Sequence, residues 1–195
     1  MTRPWLVPPA GLAARETSRL AAPLPRIETE RLILRAPAIA DWPVLEPIWI
    51  TERGRFIGGP MNAEDAWLDF NQCVASWLLR GIGWLTITLR GDGSVLGLVG
   101  VGQEHGDPEA EIGWMLIEAA EGRGYALEAA RALLPLALDV IGAGRLVSYI
   151  HRDNAASVRL AEKLGAVCDA RPHPLFPEGR VYRHGGAGLT GEVTL

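Results

Sequence analysis

The chain has 195 residues, 48% apolar and 22% charged, with a net charge of −4 and an isoelectric point near 5.6. These values suit one globular domain with a sizeable core and exclude the strongly basic surface of a nucleic-acid binder. No apolar run approaches the roughly 20 residues that span a bilayer, the start lacks a signal-peptide apolar region, and Cys73 and Cys168 fall in no metal spacing; no membrane partner, no metal site and a reduced, cytoplasmic setting are expected.

Residues 1–25 are rich in Pro, Ala and Arg and read as an N-terminal extension, loosely packed or disordered, ahead of a single domain over 26–195. RLILR at 31–35 predicts a first strand that Pro37 stops. The stretch 39–50 predicts a short helix with Trp42, Leu45 and Trp49 on one face, broken into two turns by Pro47. Asn62 reads as an N-cap, with Asp65 completing a capping box. The helix behind it sets Trp67, Phe70, Val74, Trp77 and Leu78 at i, i+3/i+4 spacing as a core face, and ends near Gly81 and Gly83. Strands at 84–89 and 95–101 flank the turn Gly91-Asp92-Gly93. After His105-Gly106-Asp107-Pro108, residues 109–117 form the third strand of a meander. A helix from about Arg123 is expected to bury Ala126, Ala130, Leu133, Leu134 and Ala137, with Pro135 kinking or ending it. A strand at 145–150 follows that helix and should lie parallel to the strand at 111–117. A second short helix at 154–164, two last strands at 166–170 and 179–184, and a glycine-rich tail expected to fray complete the chain.

The stretch 111–134, EIGWMLIEAAEGRGYALEAARALL, organises this pattern. An apolar strand leads through a loop to Gly122-Arg123-Gly124-Tyr125-Ala126 and straight into a helix. That arrangement holds phosphate, because the first amides of a helix lack internal partners and carry the positive end of the helix dipole. Gly122 and Gly124 let the backbone approach an anion, and Arg123 adds a formal charge. The Gly-Lys-Ser/Thr of a P-loop is missing. Leu127 stands where a dinucleotide fingerprint needs its third glycine. From the loop alone, an ordinary strand-to-helix turn remains open.

The spacing Glu121-x-x-Gly124-x-Ala126 resembles the coenzyme A pyrophosphate loop of the GNAT acyltransferase superfamily, Gln/Arg-x-x-Gly-x-Gly/Ala, with Glu121 where Gln or Arg is usual. Ahead of it, Glu109-Ala110-Glu111-Ile112-Gly113-Trp114-Met115-Leu116 is similar to the coenzyme-binding strand. Thr29-Glu30-Arg31-Leu32-Ile33-Leu34-Arg35 resembles the opening strand of the ribosomal-protein N-terminal acetyltransferase branch, and Asn154-Ala155-Ala156-Ser157 through Glu162-Lys163-Leu164-Gly165 its last helix. The likeness runs over roughly residues 27–184. It implies an α/β (α+β) fold: a mixed twisted sheet of about six to seven strands, split by a V-shaped coenzyme cleft and flanked by helices. It implies acetyl-CoA as cosubstrate and direct attack by a primary amine (a protein N-terminus, an amino acid or a small-molecule amine) in a monomer or homodimer.

The same resemblance assigns roles. Met115 and Ile117, beside a bulge in the third strand, offer main-chain groups to the pantetheine arm and the acetyl carbonyl, where amides stabilise an oxyanion, and Leu116 between them is counted with the coenzyme-binding residues. Gly122, Arg123, Gly124, Tyr125 and Ala126 hold the pyrophosphate. Asn154 bonds a pantetheine amide and also reads as a helix N-cap. Ala161 stands where many members carry a tyrosine acid, and Ser157, on the same helix face, is expected at the thiol sulfur or the pantetheine. The amine must lose a proton, and Glu111 and Glu104 are the candidate bases, with His105 behind them. For Glu111 a solvent-facing strand position is the alternative. Tyr149 and Tyr182 are further acid candidates that also read as packing. The acidic balance and the Glu-rich meander favour a cationic or amine-bearing acceptor. Because Glu121 and Ala161 depart from the family pattern, a catalytically weak coenzyme A-binding regulatory or interaction module is the alternative reading.

Overall fold

The structure, a computed structural model, describes residues 3–185 apart from Pro172 and Leu175. In chain order it contains α1 (Gly11–Ala21), β1 (Ile27–Glu28), β2 (Leu32–Arg35), α2 (Trp42–Leu45), α3 (Pro47–Ile50), α4 (Ala63–Arg80), β3 (Trp84–Leu89), β4 (Val95–Gly102), β5 (Ala110–Leu116), α5 (Tyr125–Ile141), β6 (Leu146–His151), α6 (Ala155–Lys163), β7 (Val167–Asp169) and β8 (Gly179–Arg183). Short 3-10 turns at Pro4–Leu6, Ile39–Asp41, Glu52–Phe56 and Glu118–Ala120 fill the connections. The expected fraying of the tail falls on residues 186–195, outside the described ones.

The strands form one eight-stranded sheet in the order β1-β2-β3-β4-β5-β6-β8-β7. It has one strand more than expected, the two-residue β1, which is too short to show a pattern in sequence. Among the pairs between these strands only β5 and β6 are parallel, as the crossover through α5 requires. They are paired at Ala110↔Leu146 and Glu111↔Val147, and the strands diverge beyond. That divergence opens a V in the sheet, with Glu111 at its vertex. The β4–β5 register is continuous from Gly97↔Leu116 to Gly102↔Glu111, so the bulge expected in β5 is absent there. The register shift lies between Ile87 and Thr88 in the β3–β4 pair.

Alternation along the strands divides the core. Leu85, Ile87, Val99 and Ile112 face α5, whose Ala129, Ala130, Leu133 and Ala137 close the larger cluster. Leu98 and Met115 face the opposite side, where α2, α3 and α4 bring Trp42, Trp49, Ala66 and Phe70. The buried stripe of α4 is Ala66, Phe70 and Cys73, with Trp77 donating to the Trp84 carbonyl at 2.9 Å. Leu78, expected on that face, is 79% exposed, because the stripe leaves the helix one residue earlier. Asn62 caps α4 as expected, accepting from the Glu64 and Asp65 amides, and left-handed Gly81 ends it. In α5 the buried side is Tyr125, Ala129, Ala130, Leu133, Leu134 and Ala137, so Ala126 turns away from the core and toward the cleft.

Pro135 neither ends nor divides α5, which continues to Ile141. Pro135 and Arg131, whose carbonyl loses its usual partner, are on the exposed side. Water can satisfy that carbonyl there. Residues 3–24 carry more regular structure than expected. They form the helix α1, which buries none of its residues, and are tied down by Arg3 on Glu46 at 2.5 Å and by Leu6 against the second cluster.

Candidate active site

The N-terminus of α5 is fixed by the first strand. Glu128, in the first helical turn, accepts from Thr29 Oγ1 at 2.6 Å, from the Arg31 amide at 3.0 Å and from Arg31 Nε at 2.7 Å. Burial alone would raise the Glu128 carboxyl, but these hydrogen bonds hold it below its ordinary value. Arg31 also covers the Tyr125 ring at 4.7 Å. The Thr29–Arg31 motif therefore anchors the glycine loop. Gly122 and Gly124 adopt positive φ (71° and 80°), conformations that disfavour a side chain, and nothing but an arginine tip lies within 4 Å of where a Gly124 Cβ would be. The open side of the loop faces a cavity of about 570 Å³ running from Tyr125 and Ala126 to Leu116 and Ser157. Four cations line it: Arg53, Arg55, Arg159 and Lys163. With the 17-residue helix α5 pointing its amide end at it, this cavity fits an extended polyanion.

Along β5 the main-chain groups alternate between neighbours. The Ile117 amide donates to the Leu96 carbonyl at 2.9 Å, on the β4 side. The Leu116 carbonyl accepts from Arg53 Nη2 at 3.1 Å and the Ile112 carbonyl from Ser148 Oγ at 2.7 Å, both on the opposite side. By the two-residue period of a strand, Trp114 and Leu116 turn their main-chain groups into the V, and Met115 and Ile117 turn theirs toward β4. This corrects the assignment of Ile117, whose amide is taken, and of Met115, which meets the cleft through its side chain.

A second cavity, about 460 Å³, lies on the other side of Trp114 and Met115. Phe56, Ile57, Trp114, Met115, Asn154 and Ser157 line both, so the two are continuous. Asp69, Glu104, Asp107 and Glu111 line the second cavity, together with His105, His151 and His173 but no lysine or arginine among the described residues. Glu111 lines this cavity at the vertex of the V and is half-buried there. Burial pushes its carboxyl up to about 8, against one hydrogen bond from the Tyr149 amide at 3.3 Å, with Glu104 and Asp107 adding repulsion. Glu104 sits at the exposed rim, raised by burial and then by the charges of Asp69 and Asp107. Asp69 is raised by burial while Trp49 Nε1 donates to it at 2.6 Å.

A family model described as an acetyltransferase (GNAT) domain matches residues 31–167. The chain belongs to the GNAT acetyltransferase family. The chain is similar to the crystal structure of an acetyltransferase from Agrobacterium tumefaciens, with a TM-score of 0.77 and 38% identity over 83% of this chain and 94% of that one. The uncharacterized protein YkkB of Bacillus subtilis is 34% identical over 104 residues, 51% of this chain; the match spans 58% of the length of that relative. RimL, a ribosomal L7/L12 alpha-N-protein acetyltransferase solved with coenzyme A, shares the fold at a TM-score of 0.61 and 17% identity, over 81% of this chain and 96% of that one. As a GNAT acetyltransferase the chain uses acetyl-CoA as cosubstrate. No helix among the described residues is long and apolar enough to cross a membrane.

The structure brings Leu116, Gly122, Gly124, Tyr125, Ala126, Asn154 and Ser157 together at the first cavity. Arg123 is exposed, does not line it, and uses its carbonyl to accept from Arg31 at 3.1 Å. Asn154 caps α6 through its side-chain oxygen, which accepts from the Ser157 amide at 3.2 Å, so its Nδ2 is the atom left for a ligand. Ser157 Oγ accepts from Trp114 Nε1 at 3.2 Å, which leaves its own O–H to donate. Glu111 and Glu104 both line the second cavity, Glu111 half-buried at the vertex and Glu104 exposed at the rim. Tyr149 is committed: its hydroxyl donates to the Glu109 carbonyl and accepts from the Glu109 amide, both at 3.2 Å, and burial pushes it up to about 12. Tyr182 is 2% exposed and packs with Ile150 and Ala161. No individual site role was read from sequence for Arg53, Asp69 or Asp107, and Trp114 entered only as part of the motif resembling the coenzyme-binding strand.

Proposed function

We propose that the protein transfers an acetyl group from acetyl-CoA to a primary amine that arrives as a cation. The observation that carries this reading is the junction of two cavities of opposite lining, cationic beside the glycine loop and acidic around Glu111. The first suits the phosphates of coenzyme A and the second a protonated amine. Glu111 takes the ammonium proton, and its raised value matches it to an amine. The nitrogen then forms its bond to the acetyl carbon as the bond from that carbon to sulfur breaks, and the second proton it must lose to become an amide passes through water to the departing thiolate, giving the free thiol. The cleft-facing main-chain groups of Trp114 and Leu116 suit the carbonyl oxygen, whose negative charge grows in that step. Ser157 donates its O–H to the departing sulfur, and a thiol with a pKa of about 8.5 leaves as thiolate with that help alone. No covalent bond to the protein is made.

The test is release of free thiol from acetyl-CoA across an amine panel matched in size. Amines with a second cationic group should give the highest kcat/KM, neutral-chain amines less, and amines bearing a carboxylate least. Equal rates for carboxylate-bearing and dicationic amines would remove the acidic cavity from the reading.

A further inference from the structure

Glu121 places a carboxylate at the head of the glycine loop, where it opposes a diphosphate. Arg53 answers that charge. It sits in the 3-10 turn Glu52–Phe56, across the cleft and far away in sequence. Its Nη2 donates to Glu121 Oε1 and also to the Leu116 carbonyl at 3.1 Å. A guanidinium has five N–H donors, and these two bonds engage only Nη2. Arg53 Nε is buried without a partner among the described residues. A buried N–H without an acceptor is costly, and Arg53 lines the same cavity as Gly122 and Gly124. The Arg53 side chain keeps 21% exposure on the cavity side, so its uncommitted donors can meet an acceptor with several anionic oxygens there.

We propose that Arg53 is a ligand of the coenzyme diphosphate, held in place by Glu121, and replaces the basic or amide residue that this loop lacks at position 121. The inference rests on the reading of this cavity as the coenzyme site. It gives Glu121 a positive use: a carboxylate fixes a planar, forked cation that then presents its other edge to phosphate. It also couples the two substrates. Phe56 and Ile57, three and four residues beyond Arg53, line both cavities, so engaging Arg53 fixes one wall of the amine cavity.

The test is a double-mutant cycle read by calorimetric titration of the full chain with coenzyme A at fixed ionic strength. Arg53→Ala should weaken binding about tenfold or more, the loss expected of one charge-assisted contact, and Arg53→Lys should fall between it and the wild type. Glu121→Gln should weaken binding when Arg53 is present, because the guanidinium loses its holder. In the Arg53→Ala background the same change should strengthen binding, because a bare carboxylate is removed. Pantetheine, which has no diphosphate, should bind wild type and Arg53→Ala alike. Glu121→Gln strengthening binding in both backgrounds, or Arg53→Ala binding coenzyme A like the wild type, overturns the proposal and leaves the coenzyme site standing. A wild-type chain that binds no coenzyme A removes the underlying reading and the proposal with it.

Discussion

Glu111 is the last residue of β5 paired with β6, and its carboxyl fills the vertex where the two strands part. Burial raises it to about 8, so between its ordinary value near 4.5 and 8 the folded chain holds a proton that the unfolded chain releases. Stability contributed by the protonated form is therefore complete at low pH, falls as pH rises through that window and levels off above it. Glu111→Gln lacks this slope. Its melting temperature should match the wild type near pH 4–5 and exceed it at pH 9, where the ionised carboxyl costs up to a few kcal/mol. Activity should move the other way. At constant acetyl-CoA affinity, kcat/KM should fall by roughly 10² to 10⁴, and the limb that rises with pH toward about 8 should disappear. Full activity of Glu111→Gln across pH 6 to 9 while Glu104→Gln is impaired would move the base to Glu104. The sequence offered both carboxylates, but which one lies at the vertex depends on where β5 and β6 stop pairing, a relation between strands that neither strand's pattern contains.

At the scale of elements, most of the chain order was readable, because period-2 and period-3.6 patterns and their caps are local. Asn62, Gly81 and the Gly91–Gly93 turn ended elements where the sequence put them. What escaped were relations between elements. The V was expected beside a bulge in β5, but β5 pairs continuously with β4 and the opening comes from β6 leaving. The grip of Thr29 and Arg31 on Glu128 joins residues 97 to 99 apart and has no local signature. Pro135 was read from local rules as a break, yet a proline's fixed φ is compatible with a helix, and the cost of the missing bond is small where water reaches the carbonyl. It is still a cost. Pro135→Ala should raise stability by up to about 3 kcal/mol, partly offset by the freer unfolded chain, with coenzyme affinity unchanged. Denaturant unfolding checks this; a destabilised variant would show that α5 depends on the proline for its path over the sheet.

For the molecule as a whole, a net charge of −4 conceals two adjoining cavities of opposite lining. Composition reports only the sum, and the separation arises because Arg53 and Arg55 come from one turn, Arg159 and Lys163 from α6, and the four carboxylates from α4, β5 and the turn before it. Both substrates should consequently bind less tightly as salt is added, since their attraction is screened: KM for acetyl-CoA and KM for a cationic amine should both rise between low and physiological ionic strength, while KM for a neutral-chain amine rises less. The measurement that tests the central claim most directly is mass spectrometry of an amine incubated with the protein and acetyl-CoA labelled in the acetyl group. The account predicts a labelled amide on the amine nitrogen, formed only when protein and acetyl-CoA are both present and reduced at least a hundredfold by Glu111→Gln. Tight binding of acetyl-CoA with no labelled amide from any cationic amine would contradict it and leave a coenzyme A-binding module.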